Sequence, residues 1–348
     1  MGRRVLITGL GSFWGGLLAQ ALERDPEVDV IIGLDTREPR VKLERTEYVR
    51  SDENYSILSR IVKATGVDTI AHTFLVVDST QASSRTMHEI NVIGTMNLFA
   101  AASAPASTVR KVVVKSSAWI YGSTPKDPYW FSEVDKRSGP TRSKVERSLL
   151  EVEGYVRDFA RDNPHVSLSL LRFCNVLGPD LDTPLSKALR LPLVPRVAGY
   201  DPRFQLIHEV DVVNAILHAV QYDVPGVYNV AGDGQLPWSE IIAIAGKRGI
   251  SMPPFATDLA AEPLRGLGLV DLPPELIELL KFGRGLDNRR YKQAGFEYQY
   301  STAGAVEAFV EARRLRATIG RSDEYRYEED VEQFFRHSPA VLRNQSGD

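Results

Sequence analysis

The chain reads as an α/β protein built on a doubly wound parallel sheet, with a smaller C-terminal lobe. Three observations predict this. Short apolar, β-branched runs alternate with longer amphipathic stretches through the first half, the order that lays parallel strands between covering helices. Those runs are continuously apolar, as expected of strands covered on both faces. Beyond Pro179 the prolines multiply, at 184, 192, 195 and 202 and again at 253, 254, 263, 273 and 274, so that part divides into short elements joined by turns.

Strands are expected at residues 4–8, 28–34, 69–74, 111–115 and 167–172. Helices are expected at 15–23, 55–64, 85–102 and 142–161, where apolar residues recur at helical spacing. Residues 205–218 and 227–232 read as a helix lead-in and a strand that return to the main sheet. The expected division is a nucleotide-binding domain over 1–178, joined by 205–232, then a substrate lobe over 179–204 and 233–302, and a helical tail over 303–348.

Composition narrows the function. Hydrophobic residues make up 43% of the 348 and charged residues 25%, which suits a buried core and excludes wholesale disorder. Lys and Arg number 42 against 45 Asp and Glu, a net charge of −3, so no basic field awaits a nucleic-acid backbone. The single cysteine, Cys174, cannot form an intramolecular disulfide. The apolar run after Arg4 is too short for a secretory or membrane segment. A cytoplasmic protein without membrane or nucleic-acid partners is expected. The six histidines never fall at zinc-ligand spacing and no cysteine pair accompanies them, so no metal is expected.

The richest stretch is Val5-Leu6-Ile7-Thr8-Gly9-Leu10-Gly11-Ser12-Phe13-Trp14-Gly15-Gly16. A buried strand, a glycine turn and a helix start follow one another, the context in which such glycines hold a dinucleotide. Gly9 permits the tight turn, a small residue at Gly11 or Ser12 lets backbone N–H groups approach a pyrophosphate, and Gly15 lets the helix pack close. Gly11 and Gly16 also have the spacing of a mononucleotide loop, but Leu17 stands where its phosphate-binding lysine is required. Asp35 closes the second strand, where a carboxylate accepts the hydroxyls of an adenine ribose. The cofactor predicted is NAD, held by Thr8, Gly9, Gly11, Ser12, Phe13, Trp14, Gly15 and Asp35. Arg37 and Arg40 leave NADP open.

Further blocks follow in a set order: Ile90-Asn91-Val92-Ile93-Gly94-Thr95, Ser116-Ser117-Ala118-Trp119-Ile120-Tyr121-Gly122, Leu171-Arg172-Phe173-Cys174-Asn175-Val176-Leu177-Gly178-Pro179, Ile207-His208-Glu209-Val210-Asp211, Tyr228-Asn229-Val230-Ala231-Gly232 and Leu286-Asp287-Asn288-Arg289-Arg290. Together with the glycine turn, from Arg4 to about Thr302, they resemble the extended short-chain dehydrogenase/reductase family. The likeness is greatest to its NAD-dependent epimerase/dehydratase branch, which includes UDP-glucose 4-epimerase. The resemblance implies a Rossmann-type fold, hydride transfer on a small-molecule substrate such as a UDP-sugar, and a homodimer through helices 85–102 and 142–161. It makes Ser117 the hydroxyl that bonds a substrate oxygen and sets Asn91 in a central helix facing the sheet. Asn175 becomes a substrate contact, and Lys144 the lysine that binds the nicotinamide ribose and assists catalysis.

The chain departs from the family at three points. Ser12 replaces the middle glycine of the turn, with Gly11 shifted by one. The arginine expected four residues before His208 falls on Phe204, with Arg203 adjacent as the candidate diphosphate anchor. The catalytic tyrosine, four residues before Lys144, is Pro140, and none of the thirteen tyrosines has a lysine four residues later. Another group has to move the proton, and Tyr129 is the first candidate. Pro140 itself suits a helix start.

Three readings follow. The first is an NAD-dependent epimerase or dehydratase acting on a nucleotide-sugar. The second is a non-catalytic NAD-binding sensor or interaction protein. The third, drawn from the apolar runs at 191–195 and 267–280, is a hydroxy-lipid or steroid dehydrogenase.

Overall fold

Seven strands form the central sheet: β1 (Arg3–Thr8), β2 (Val28–Asp35), β3 (Thr46–Arg50), β4 (Thr69–His72), β5 (Lys111–Ser117), β6 (Ser167–Phe173) and β7 (Gly226–Val230). All pair in parallel, in the order β7-β6-β5-β4-β1-β2-β3. The computed structural model describes residues 2–105, 107–254 and 273–319, with side chains as far as Leu315. The polar tail from 320 on and residues 267–272 of the apolar run at 267–280 lie outside the described residues.

The sheet forms where the sequence is apolar on both faces. Val5, Leu6 and Ile7 in β1 and Val112, Val113 and Val114 in β5 are fully buried. On one side α1 (Phe13–Glu23) packs against α7 (Glu209–Gln221; α6 is Pro184–Arg190). On the other, α2 (Tyr55–Thr65), α4 (Gly94–Ala102) and α5 (Lys144–Asp162) stand in a row. Strand order runs outward from β1 in one direction and from β4 in the other. The crevice between their carboxyl ends is the switch point where doubly wound sheets bind ligands.

The sequence reading differs from the structure at four places. β3 went unread because it is a charged edge strand, none of whose five residues is buried. The predicted strand at 69–74 stops at His72: the Thr73 N–H makes the last bond to β1, to the Thr8 carbonyl at 3.2 Å, and the chain then leaves the sheet. The helix expected at 85–102 is α3 (Ser84–His88), a π-helical turn (Glu89–Ile93) and α4 in series. Finally, Pro140 does not start a helix. It sits in the exposed loop before α5, with its carbonyl accepting from Arg137 Nη2 at 2.7 Å. Ser143 caps α5 instead, taking the Glu146 N–H at 3.1 Å.

After β6 the chain builds a second cluster with its own apolar centre, including Leu185, Leu189, Trp238, Ile241, Leu276 and Phe309. Short strand pairs surround it, such as Leu193–Val197 with Arg248–Met252. The segment reaching Leu206–His208 pairs with Asn175–Leu177, and α7 and β7 then bring the chain back to the main core.

The carboxyl ends of β5, β6 and β7 are pinned by one buried ion pair. Arg172 on β6 and Glu153 on α5 meet at 2.6 Å. Ser116 donates to Glu153 at 2.9 Å, Arg172 donates to the Tyr121 hydroxyl at 2.7 Å, and Tyr121 donates to Asn229 at 2.8 Å. Glu153→Ala strands the guanidinium without its counter-charge and is expected to lower unfolding free energy by about 3–5 kcal/mol. Glu153→Gln, which keeps an acceptor oxygen, costs less. Urea unfolding measures both, and an alanine loss below about 1 kcal/mol contradicts this role.

Candidate functional site

A cavity of about 770 Å³ opens at the switch point. Its first wall is the turn after β1. Gly9 adopts φ 78°, and a Cβ there would lie 2.2 Å from Phe74 Cβ, so only glycine fits. A Cβ on Gly15 would lie 2.2 Å from the Gly9 carbonyl, which is why α1 can start so close to the turn. Ser12 caps α1 by accepting the Gly15 N–H at 3.1 Å. That cap accounts for a serine where the family has glycine, and it leaves the helix N-terminus facing the cavity. Asp35, at the end of β2, accepts the Gly11 N–H at 3.0 Å and the Arg37 N–H at 2.9 Å. The carboxylate therefore stands against the turn and lines the same cavity, with Arg37 and Arg40 at its mouth.

Of the residues expected to bind cofactor, Gly9, Gly11, Ser12, Phe13, Trp14 and Asp35 line the cavity. Thr8 lies buried just beneath. Ser117 and Asn175 line it too, at the ends of β5 and β6, and the Ser117 hydroxyl accepts the Trp119 N–H at 3.3 Å. Asn91 occupies the π-helical turn, bonded to both backbone groups of Val76 and to Ser148. It thereby holds the cavity-lining loop after β4 against α5.

Three expected residues lie elsewhere. Lys144 is the first residue of α5 and is exposed, outside the cavity. α5 begins only at Lys144, so Pro140, at the position of the expected tyrosine, lies in the loop before the helix. That loop is clamped by the Arg137–Glu146 pair at 2.9 Å. Tyr129 is half exposed and donates to Gln235 on the face where Gly285 binds its carbonyl, and it does not line the cavity. Arg203 is exposed on a two-residue strand paired with Leu236–Pro237 and likewise does not line it. Because the lobe turns that strand outward, proximity in sequence to His208 did not carry Arg203 into the cleft.

Sequence reasoning missed four ionisable groups around this cavity. Lys115 ends the apolar run of β5 and was read as a strand terminus. Only 4% of it is exposed, and its Nζ stands over the Trp14 ring at 5.2 Å and the Phe173 ring at 5.9 Å. Burial pushes its amine down to about 8. Glu53 follows β3 and lines the cavity. Burial, then the nearby Asp35 and Asp52, push its carboxyl up to about 8 against the effect of its bond to Thr8. His72, fully buried at the end of β4, is lowered to about 4 by burial and by Lys115. It is neutral, so its 3.7 Å approach to Glu53 is no ion pair. Thr95 donates to the Asn91 carbonyl and so accepts from His72 Nε2 at 3.2 Å. This network assigns His72 Nδ1 as the acceptor from Thr8 at 2.6 Å. From the second cluster comes Glu275, on α9 (Pro274–Phe282; α8 is Trp238–Ile244). It accepts the Ser79 N–H at 3.1 Å. Its other oxygen has no partner among the described residues, and burial raises its carboxyl. No group of metal-ligating side chains occurs among the described residues, and no described helix is long and apolar enough to cross a membrane.

Glu53 and His72 tilt stability oppositely with pH. The folded chain keeps the Glu53 proton between about 4.5 and 8, where an unfolded carboxyl has lost it, so its contribution falls as pH rises through that window. His72 stays neutral in the fold down to about 4, so its contribution is lost as pH falls from 6.5. Glu53→Gln is expected to flatten the decline in urea midpoint between pH 5 and 8. An unchanged decline refutes the raised carboxyl.

Residues 5–231 match the NAD dependent epimerase/dehydratase family. An uncharacterized protein of Mycobacterium tuberculosis is 33% identical over 321 residues, covering 90% of this chain and 85% of its own. The UDP-glucose 4-epimerase of Neisseria meningitidis serogroup C is 27% identical over 187 residues, 51% of this chain and 54% of that protein. The crystal structure of UDP-glucose 4-epimerase from Thermotoga maritima with UDP-glucose superposes with a TM-score of 0.70 at 19% identity, covering 90% of this chain and 99% of that one. At that identity the likeness concerns the fold. The family match takes in the glycine turn, Asp35, Ser117 and Asn175 and runs on through the last strand of the sheet, and by it the chain belongs to the NAD dependent epimerase/dehydratase family.

Proposed function

We propose that this chain is an NAD-dependent oxidoreductase of the nucleotide-sugar 4-epimerase type, with a non-standard proton-transfer group. The observation that carries the reading is one continuous cavity. The glycine turn and Asp35 lie at one end, and Ser117 and Asn175 lie beyond Lys115 at the other. The near end suits a dinucleotide, because its glycines leave no room for a Cβ and a capped helix start faces the cavity. The N–H groups around Gly9, Gly11 and Ser12 would hold the pyrophosphate, and Asp35 the adenosine ribose. NAD, when bound, supplies the hydride acceptor. The chain supplies Ser117, whose hydroxyl would bond the reacting oxygen, and Asn175 and Glu275, which would offer polar contacts to a sugar. The likeness to two UDP-glucose 4-epimerases supports a UDP-sugar as substrate class. The exposed Ile93, Met96 and Tyr155 on the helical rod and α5 support a homodimer through those two helices.

Lys144 and Pro140 both lie outside the cavity, the specific observation that favours a second reading, a protein that binds NAD without turnover. Titration calorimetry and a turnover assay separate the two. NAD is expected to bind at least about tenfold more tightly than NADP, and Asp35→Ala to weaken NAD by about tenfold while narrowing that gap. NADP preferred by the unmodified chain overturns the cofactor assignment. With NAD present, UDP-glucose is expected to yield its 4-epimer, and Ser117→Ala to cut kcat by about 10²-fold. Tight NAD binding with no change in any UDP-sugar of a panel establishes the sensor reading instead.

A further inference from the structure

We propose that Lys115 is the proton-transfer residue of this site, its side-chain amine taking the proton of the substrate hydroxyl that is oxidised and returning it when the carbonyl is reduced. The proposal rests on the functional reading above and deepens it.

Strand geometry sets the position. Side chains alternate along β5. Ser116 faces α5, where it bonds Glu153, and Lys111 faces the opposite way, donating to the Val220 and Tyr222 carbonyls at the end of α7. Lys115 and Ser117 share the face of Lys111. The hydroxyl expected to bind the reacting oxygen and the buried amine therefore project from one strand end into one cavity.

The other candidates are spent or misplaced; Glu53, which also lines the cavity, stands by Asp35 and is bonded to Thr8. Lys144 and Tyr129 lie outside the cavity. The Tyr121 hydroxyl is committed to Arg172 and Asn229, and burial pushes it up to about 12. Asp35 is tied to the glycine turn. Asp78 holds Thr80 and Gln81. Glu275 keeps one free oxygen but enters from the second cluster, held by Ser79. Lys115 makes no hydrogen bond and no ion pair among the described residues; its Nζ stands over the two aromatic rings. The residue is 4% exposed and lines the cavity, so its amine faces the cavity. A substrate oxygen supplies the missing partner.

In the forward step the substrate O–H bond breaks and its proton passes to the Nζ lone pair. The carbon–oxygen bond would become a carbonyl, the C–H electron pair leaving as a hydride that NAD, when bound, would accept. The reverse step, on either face of the carbonyl, restores each bond. The amine must start neutral. Burial brings it to about 8, and the groups facing it add no negative charge: Trp14 from α1, Phe173 from β6, and neutral His72 from β4. The neighbouring Arg172 turns away to Glu153.

The first test needs no turnover. The full chain is treated with a small amine-acylating reagent between pH 6 and 10, with and without NAD plus UDP-glucose, and modification is read peptide by peptide. Lys115 is expected to reach half its limiting reactivity near pH 8, unlike exposed lysines near 10.4, and to be protected about tenfold or more by the two ligands together. Titration alongside the exposed lysines, a Lys115 never modified at any pH, or an absence of protection overturns the proposal. The second test follows kcat. Lys115→Gln is expected to lose about 10²–10⁴-fold in kcat with KM nearly unchanged, and to lose the rising limb of the profile near pH 8. Lys115→Arg keeps the charge and cannot give up its proton at these pH values, so it should not restore the rate. Either variant retaining parental kcat, with its fold verified by circular dichroism, refutes the assignment. If the unmodified chain turns over no UDP-sugar, the reading as an epimerase fails, while the acylation profile still decides whether Lys115 is a neutral, ligand-facing amine.

Discussion

The cavity depends first on the buried pair of Arg172 and Glu153. Desolvating two charges is expensive, and here the cost is offset by saturation: Glu153 accepts from Ser116 and from two guanidinium nitrogens. Arg172 spends another nitrogen on Tyr121 and the Glu133 carbonyl. Asn229 extends the network by donating to the Phe131 carbonyl at 3.0 Å. One charge pair thus ties the ends of β5, β6 and β7 to the segment 131–133 that leads toward α5. The floor on which Ser117 and Asn175 stand cannot shift without breaking it. It also occupies Tyr121 in a structural role, leaving this tyrosine no part in proton transfer.

Four groups around the cavity have been driven toward neutrality. Desolvation is the leading cause at Glu53, His72, Lys115 and Glu275 alike. A carboxyl raised to about 8 beside a histidine lowered to about 4 gives a chain of neutral donors and acceptors from Glu53 through Thr8 and His72 to Thr95. The inner end of the site is therefore fixed by hydrogen bonds with little charge. Such a wall fits a ligand that brings its own charge to the helix N-terminus and the mouth, where Arg37 and Arg40 stand.

Much of this was legible in the sequence. The strand, turn and helix from Val5 to Gly16, and Asp35 after them, follow from local rules that hold whatever the rest of the chain does: a glycine where φ is positive, a small residue where backbones meet, a cap before a helix. β3 was not legible, because an edge strand has no buried face to impress a pattern on its residues. Lys144, Tyr129 and Arg203 were placed by their distance along the chain from matched blocks. That reasoning holds only while the intervening backbone keeps its path. Here the loop from Arg137 to Ser143, fastened by Arg137 to the Gly139 and Pro140 carbonyls, changes it. Lys115 was hidden for a different reason: a single lysine at the end of a valine run looks like a solvated strand end. Only the packing of Trp14 and Phe173 over it shows otherwise.

That packing also sets the balance of forces at Lys115. Ring faces attract a cation, by about 0.5–1 kcal/mol at exposed sites and about 2 or more when water is excluded, and so favour the ammonium. Burial away from any carboxylate opposes it. Burial alone brings the amine down to about 8, and the two ring faces act against that shift, so both protonation states stay accessible near neutrality. A carboxylate partner in place of either ring would hold the lysine permanently charged and make it an anchor. An aliphatic side chain would remove the opposing attraction and drive it further toward the free base. The aromatic pair holds the lysine between these extremes, and general acid–base chemistry needs a group in that condition.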